Sequence, residues 1–166
     1  MGASDSKRLT VTTPSDLEIV STRVFDAPRH LVFEAHSSCE HMSHWWGPRR
    51  YEIASCEMDF RPGGAWRIVH RGADGEIPGF RGEFREIVRP ERIVWTFEWE
   101  GVPGHVSVQT ATFEEQDGKT VLTATALFDS VEDRDGMLQS GMEEGAVETY
   151  ERLDEYLEVL AAKAAG

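Results

Sequence analysis

A chain of 166 residues, 40% hydrophobic and with five Trp and eight Phe, is long enough to bury a core of its own without staples. Its net charge of −13 repels a phosphate backbone, which disfavours nucleic acid as a partner, and no apolar run reaches the roughly 18–20 residues that cross a bilayer. The N-terminus lacks the basic-then-apolar order of a secretory signal, so a cytoplasmic protein is expected, with Cys39 and Cys56, which have no CxxC spacing and form at most one bridge, held as reduced thiols.

Residues 1–15 are polar and rich in small side chains, the composition of a flexible N-terminal segment. Alternation begins at 16–26, where Leu17, Ile19, Ser21, Arg23 and Phe25 oppose Glu18, Val20, Thr22 and Val24; a first strand is predicted. Asp26-Ala27-Pro28 reads as a helix start, with Asp26 as the cap and Pro28 in the first turn. Leu31, Val32 and Ala35 then share one side of a short helix. A second short helix, about Glu40 to Trp46, is stopped by Gly47-Pro48.

From Tyr51 to Phe128 the period changes to two. Strands are predicted over 51–60, 65–71, 80–88, 92–100, 105–116 and 119–129, separated by Arg61-Pro62-Gly63-Gly64, Ala73-Asp74-Gly75, Arg89-Pro90-Glu91, Gly101-Val102-Pro103-Gly104 and Gln116-Asp117-Gly118. Connections this short leave no room for helical crossovers, so the strands form an antiparallel meander. Trp66, Ile68 and His70 share one strand face, as do Trp95, Phe97 and Trp99.

Leu138, Met142, Ala146, Tyr150, Leu153, Leu157 and Leu160 recur at steps of three or four among Glu, Asp and Arg, which predicts one amphipathic helix. Burying five large side chains along it is worth roughly 10 kcal/mol as an upper bound, and the sheet is the only broad apolar surface available to it. Gly141 and Gly145 fall inside this pattern. Either the helix starts later or kinks there, or it approaches sheet or ligand closely at those points. The acidic stretch from Glu132 to Glu158 is a solvated helix face or a docking surface for a basic partner. The sum is one α+β domain over 16–162 with a short tail at 163–166: a curved antiparallel sheet of about seven strands around a long C-terminal helix, with two short helices after the first strand.

Val24-Phe25-Asp26-Ala27-Pro28 with Val32-Phe33, Trp45-Trp46-Gly47-Pro48, Asp59-Phe60-Arg61-Pro62-Gly63-Gly64, Gly82-Glu83-Phe84-Arg85-Glu86-Ile87 and Pro90-Glu91-Arg92-Ile93-Val94-Trp95-Thr96 occur in that order. Gly141-Met142-Glu143-Glu144-Gly145 and Tyr150-Glu151-Arg152-Leu153 follow. Together these pieces resemble the START-like helix-grip superfamily, also called SRPBCC, and within it the branch related to the activator of the heat-shock-protein-90 ATPase. The resemblance spans 16–160. It implies a helix-grip fold and a cavity between helix and sheet, but no single reaction, because members include lipid and hormone carriers, polyketide cyclases, dioxygenase domains and co-chaperone modules. The eukaryotic activator places a separate domain before this module, whereas here about 15 polar residues precede the first strand; a full co-chaperone cycle is not expected.

None of the matching motifs contains a nucleophile with its base or a metal-ligand set, so no catalytic residue, metal or cofactor is assigned. His41 and His44, at i and i+3, would both reach one metal with Cys39 or Glu40 nearby, yet their spacing matches no standard zinc pattern and a polar helix face over a pocket mouth explains them as well. Arg67, Arg81 and Arg85 read as solvated partners for Glu. His70, Glu98 and His105 read as core or rim groups unless one lies buried where it would act as an acid or base. Core filling and pocket lining both account for the aromatic strand faces. The implied cavity makes Trp46, Trp66, Ile68, His70, Trp95, Phe97, Met142 and Tyr150 the expected ligand contacts.

The function expected first is therefore the holding of a small hydrophobic molecule between helix and sheet, by a monomer or homodimer. The alternatives are a cavity enzyme of cyclase or hydrolase type and a module that binds a chaperone or other protein through its acidic helix face.

Overall fold

Alternating side chains build most of the molecule. In the computed structural model, which describes residues 8–165, nine strands form one antiparallel sheet. They are β1 (Thr10–Thr12), β2 (Glu18–Phe25), β3 (Glu52–Met58), β4 (Ala65–Gly72), β5 (Gly75–Glu76), β6 (Phe80–Val88), β7 (Arg92–Trp99), β8 (Val106–Gln116) and β9 (Lys119–Leu127). The order is β1-β2-β9-β8-β7-β6-β4-β3, with β5 paired to β4. Every other residue of β2 is buried (Ile19, Ser21, Arg23, Phe25), as the alternation predicts. Register shifts at Ile53/Ser55 and Phe84/Glu86 mark bulges, which bend a strand and help to curve the sheet.

The expected meander is present from β3 to β9. What short connections do not reveal is its closure: β2 pairs along its whole length with β9, from Glu18 opposite Leu127 to Phe25 opposite Thr120. Two strands exceed the seven expected. Gly75–Glu76 folds back on Arg71–Gly72, and Thr10–Thr12, within the stretch expected to be flexible, pairs with Val20–Thr22. The rest of that expectation, at residues 1–7, lies outside the described residues, as does Gly166 of the tail.

The two short helices are α1 (Arg29–Glu34) and α2 (Cys39–Met42). Pro28, in extended conformation, stands at the α1 cap rather than Asp26. The second helix is shorter than predicted; Ser38 caps it by accepting from the His41 N–H, and turns carry the chain on through Trp45 and Trp46. The C-terminal helix is corrected in one respect. The pattern from Leu138 to Leu160 is not continuous but divides into α3 (Val131–Gln139) and α4 (Met142–Ala165), with Gly141 at φ +84° between them. Positive φ is a conformation that glycine adopts without steric cost, so the residue that looks like a flaw in one helix is the joint between two. Ala165 still belongs to α4, so the helix includes most of the expected tail; its 24 residues make it about 36 Å long.

The core and the helix divide the concave face between them. Leu153, Tyr156 and Leu157 of α4 are buried against Phe25, Val32, Phe33, Phe113 and Leu122, each worth roughly 2 kcal/mol of transfer free energy. Arg23, also buried, lies over the Phe25 ring at 4.5 Å and within 3.8 Å of Asp154, tying β2 to α4. Trp45 is filed into the same core with its indole N–H donating to the Ala35 carbonyl at 2.9 Å. The cysteines are corrected too. Cys39 and Cys56 are not free thiols: a disulfide joins them, with Cα atoms 5.8 Å apart, and fastens α2 to β3. Among the described residues no helix is long and apolar enough to cross a membrane.

Candidate functional site

The first turns of α4 do not reach the sheet. Between them lies a cavity of about 1000 Å³, walled by Met142, Ala146, Thr149 and Tyr150 on the helix side and by the concave faces of β4 and β6–β9 opposite. The helix thus changes role along its length: up to Tyr150 it walls the cavity, and from Leu153 onward it fills the core. Trp46, Trp66, Ile68, His70, Trp95, Phe97, Met142 and Tyr150 all line this space. So do His36 and, with no signal in the sequence pattern, Tyr51, Phe80, Ser107 and Gln109. Ser107 and Gln109 are polar residues on the inward face of β8, and an alternation count of apolar residues passes over them. His36 stands in sequence beside Cys39, Glu40, His41 and His44, where its residue type reads as a metal ligand; its nearness to the Trp45-Trp46 segment is the clue to the cavity.

The aromatic wall is continuous. Trp46 meets Trp66 edge-on at 6.5 Å and Phe80 at 5.3 Å, while Phe97 lies 5.4 Å from Phe80 and 6.0 Å from Trp66. Trp66 is 6% exposed and satisfies its indole N–H on the Thr96 carbonyl at 3.1 Å. Its ring is therefore fixed before any guest arrives.

The polar groups in this wall are few and uncharged. His36 Nδ1 lies 2.8 Å from the Val32 carbonyl, which can only accept, so that nitrogen carries the proton and Nε2 is left as an acceptor. Burial pulls the His36 imidazole down to about 4, outweighing that hydrogen bond, and the ring is neutral at physiological pH. His70 is 2% exposed, stacked on Tyr51 at 5.4 Å and flanked by Trp46 and Phe80. Burial is the main cause that lowers its basicity too; Arg152 adds to this and the Trp46 backbone opposes it. Its Nε2 is the buried side-chain nitrogen that finds no hydrogen-bond partner among the described residues. Burial also pushes the Tyr150 hydroxyl up to about 12, against the pull of Arg23. Gln109 donates to Ser107 Oγ at 2.9 Å, and that hydroxyl turns toward the Phe97 carbonyl.

Charge collects at the mouth. Glu132, Asp133, Glu144 and Glu148 border the cavity, against Arg50. His105 Nδ1 is 2.8 Å from Asp133 Oδ1, linking the β7–β8 connection to α3 across the opening. On the other side α4 is clamped to the Trp46-Gly47-Pro48 segment. Arg152 donates to the Gly47 and His44 carbonyls at 2.8 and 3.3 Å, and the Arg49 N–H donates to Glu148 at 3.0 Å.

The remaining polar clusters lie elsewhere. His41 Nδ1 is 2.6 Å from the Tyr156 hydroxyl, and His44 stacks flat on the same ring at 4.5 Å. With Cys39 in a disulfide, no group of three His, Cys, Asp or Glu among the described residues is arranged to hold a metal. Arg67 grips Glu100 through two hydrogen bonds of 2.7 and 2.8 Å, and Arg81 bonds Glu98 at 3.1 Å. Glu98 also accepts from the Gly104 N–H, so it is a structural partner and not a buried acid.

Comparison with known proteins places this geometry. The family model described as activator of Hsp90 ATPase homolog 1-like protein matches residues 26–158. A crystal structure of a Nitrosomonas europaea protein is 25% identical, with a TM-score of 0.81 over 90% of this chain and 99% of that one. A Rhodobacter sphaeroides protein, at 23% identity, superposes with a TM-score of 0.84 over 92% and 99% of the two chains. An Arthrobacter aurescens protein solved by NMR is 26% identical, with a TM-score of 0.78 over 90% and 91%. No curated protein matches the sequence.

Proposed function

The chain belongs to the activator of Hsp90 ATPase homolog 1-like family, and on that premise we propose that it is a binding domain for a small hydrophobic molecule held between α4 and the concave face of the sheet. The observation that carries this reading is the cavity of about 1000 Å³ with its aromatic wall and sparse, uncharged polar groups. That is the size and lining of a small-molecule site, in which apolar contact supplies affinity and a few hydrogen-bonding groups fix orientation. A module acting only through its surface has no use for so large an interior. The acidic face of α4, with Glu143, Glu144, Glu151, Glu155 and Glu158 exposed, leaves room for a protein partner alongside a ligand. The test is native mass spectrometry of freshly purified protein, followed by thermal shift across an aromatic and lipid library. A retained small molecule or a ligand-dependent rise in Tm is expected. A chain that carries nothing and responds to nothing would remove the proposal.

A second reading, a cavity enzyme, draws on one observation: His105 and Asp133 form a convergent ionisable pair at the mouth. A His oriented by a carboxylate is a recognised general-base arrangement. This His is 54% exposed, however, and the ionisable rings inside, His36, His70 and Tyr150, make no hydrogen bond to one another. Turnover that disappears in His105→Ala while ligand uptake persists would favour the enzyme.

A further inference from the structure

The charges around the cavity are unequally placed. Every charged side chain on its lining is at the mouth, where four carboxylates (Glu132, Asp133, Glu144, Glu148) stand against the single guanidinium of Arg50. Asp133 is already bonded to His105, and Glu148 to the backbone of Arg49. Arg50 leans on the Tyr51 ring, 5.0 Å from its centroid, and is exposed. Deeper in, no lining residue carries a formal charge. Two further cations stand behind the lining and not on it: Arg23 is directed at Asp154, and Arg152 donates to the Gly47 and His44 carbonyls. An anionic head taken inward would thus meet no cation on the lining itself, and burying an unpaired carboxylate costs far more than burying an alcohol.

The interior does offer hydrogen bonds. His70 lines the cavity, but its partnerless Nε2 is closed off against Gly47; Ser107 and Gln109 bring a hydroxyl and an amide to the lining. His36 Nε2 is an acceptor by virtue of its neighbour's bond to the Val32 carbonyl. A guest bearing a hydroxyl or carbonyl can answer such groups, because each is either a donor or an acceptor and none is an ion.

We propose that the cavity selects a guest that is not anionic: an uncharged apolar molecule with a hydroxyl or carbonyl for the few uncharged polar groups of the interior, any charge it bears being positive and left at the acidic mouth. This rests on the reading of the cavity as a ligand site and narrows it to a chemical class, setting alcohols, phenols, ketones and amines against carboxylates such as fatty acids.

The experiment titrates the full chain at neutral pH by calorimetry with three probes sharing one apolar body: 2-naphthol, 2-naphthylmethylamine and 2-naphthoate. The phenol and the amine should bind, and the carboxylate should be weaker by on the order of tenfold or more. The gap between amine and carboxylate should narrow with added salt and in the double variant Glu132→Gln, Glu144→Gln, whose parent side chains are exposed and whose Tm should stay that of the parent. Naphthoate binding as tightly as naphthol would overturn the charge selection while leaving the ligand-site reading standing. A gap that neither salt nor the double variant changes would overturn the role given to the mouth. Failure of all three probes, by calorimetry and by native mass spectrometry, would remove the ligand-site reading and this inference with it.

Discussion

Gly47 lies flat against the imidazole of His70, so close that a β-carbon built on it would fall 2.5 Å from both Cε1 and Nε2. The glycine has φ +95°, its carbonyl takes the Arg152 hydrogen bond, and the ring beneath it lines the cavity. Gly47→Ala combines backbone strain with overlap on a buried ring. We expect a loss of about 1–3 kcal/mol, read as a fall in Tm of roughly 2–10 °C. Gly104 has a similar φ of +94° but open space around it, so Gly104→Ala isolates the backbone term at about 1 kcal/mol. Equal effects of the two substitutions would show that the contact with His70 contributes nothing.

The two cavity imidazoles make stability depend on pH in a defined window. His36 titrates near 6.5 when the chain is unfolded and at about 4 in the folded protein, so the unfolded state binds the proton first as pH falls. Stability is whole above about pH 6.5 and drains away toward pH 4, by on the order of 3 kcal/mol in total. His70, lowered by burial as well, acts with the same sign. The carboxylates held low by Arg or backbone partners (Glu98, Glu100 and Glu155) lose their contribution only below their ordinary range near 4.5. Denaturant midpoints between pH 7 and pH 5 should therefore fall in the parent and flatten in His36→Phe; equal slopes would refute the assignment to His36.

Ala126 on β9 faces the cavity, between Ile19 of β2 and Gln109 of β8 in the register. Ala126→Phe should occupy guest space without disturbing Leu153 or Leu157. Expected is a loss of 2-naphthol binding of about tenfold or more with Tm unchanged within roughly 2 °C. Undiminished binding in this variant would place the probe somewhere other than between helix and sheet.

The Cys39–Cys56 bond closes a loop of sequence separation 17. In denatured, non-reduced protein neither cysteine should take up iodoacetamide; after reduction both should. A bridge over a loop of that length contributes about 3 kcal/mol in the loop-entropy view, so a reductant should lower Tm by roughly 5–10 °C. Alkylation of both thiols without reduction would restore the reduced pair expected from the sequence, and with it that argument for a cytoplasmic location.

Long alternating runs were legible. All six strands predicted from Tyr51 onward begin and end within two residues of their observed limits, 51–60 and 119–129 overrunning their ends by that amount. Such segments carry period-two patterning over eight or more residues and are bounded by glycine and proline turns. Strands of two or three residues, Gly75–Glu76 and Thr10–Thr12, are too short to show a period, and only their partners define them. The division at Gly141 stood in the sequence as one of two alternatives, because Leu138 and Met142 keep the spacing that a single helix would use; a steric property of one backbone residue decided it. The aromatic lining was readable because two strands, with Trp66, Ile68 and His70 and with Trp95, Phe97 and Trp99, each repeat large side chains on one face. The polar part was not, since His36 and Ser107 reach the same space from segments far apart in sequence.

The pairing of Glu18 with Leu127 and of Phe25 with Thr120 sets an order of events during synthesis. β2 leaves the ribosome early but waits for the last strand, β9, before it has a neighbour on that side, and α4 emerges later still. Until then the aromatic concave face lies open to water, and loop closure over so long a stretch makes the final step slow. The nascent chain is thus most in need of protection from aggregation until β9 and α4 have been made. Truncation anywhere before Leu157 should yield an insoluble product and not a smaller folded one.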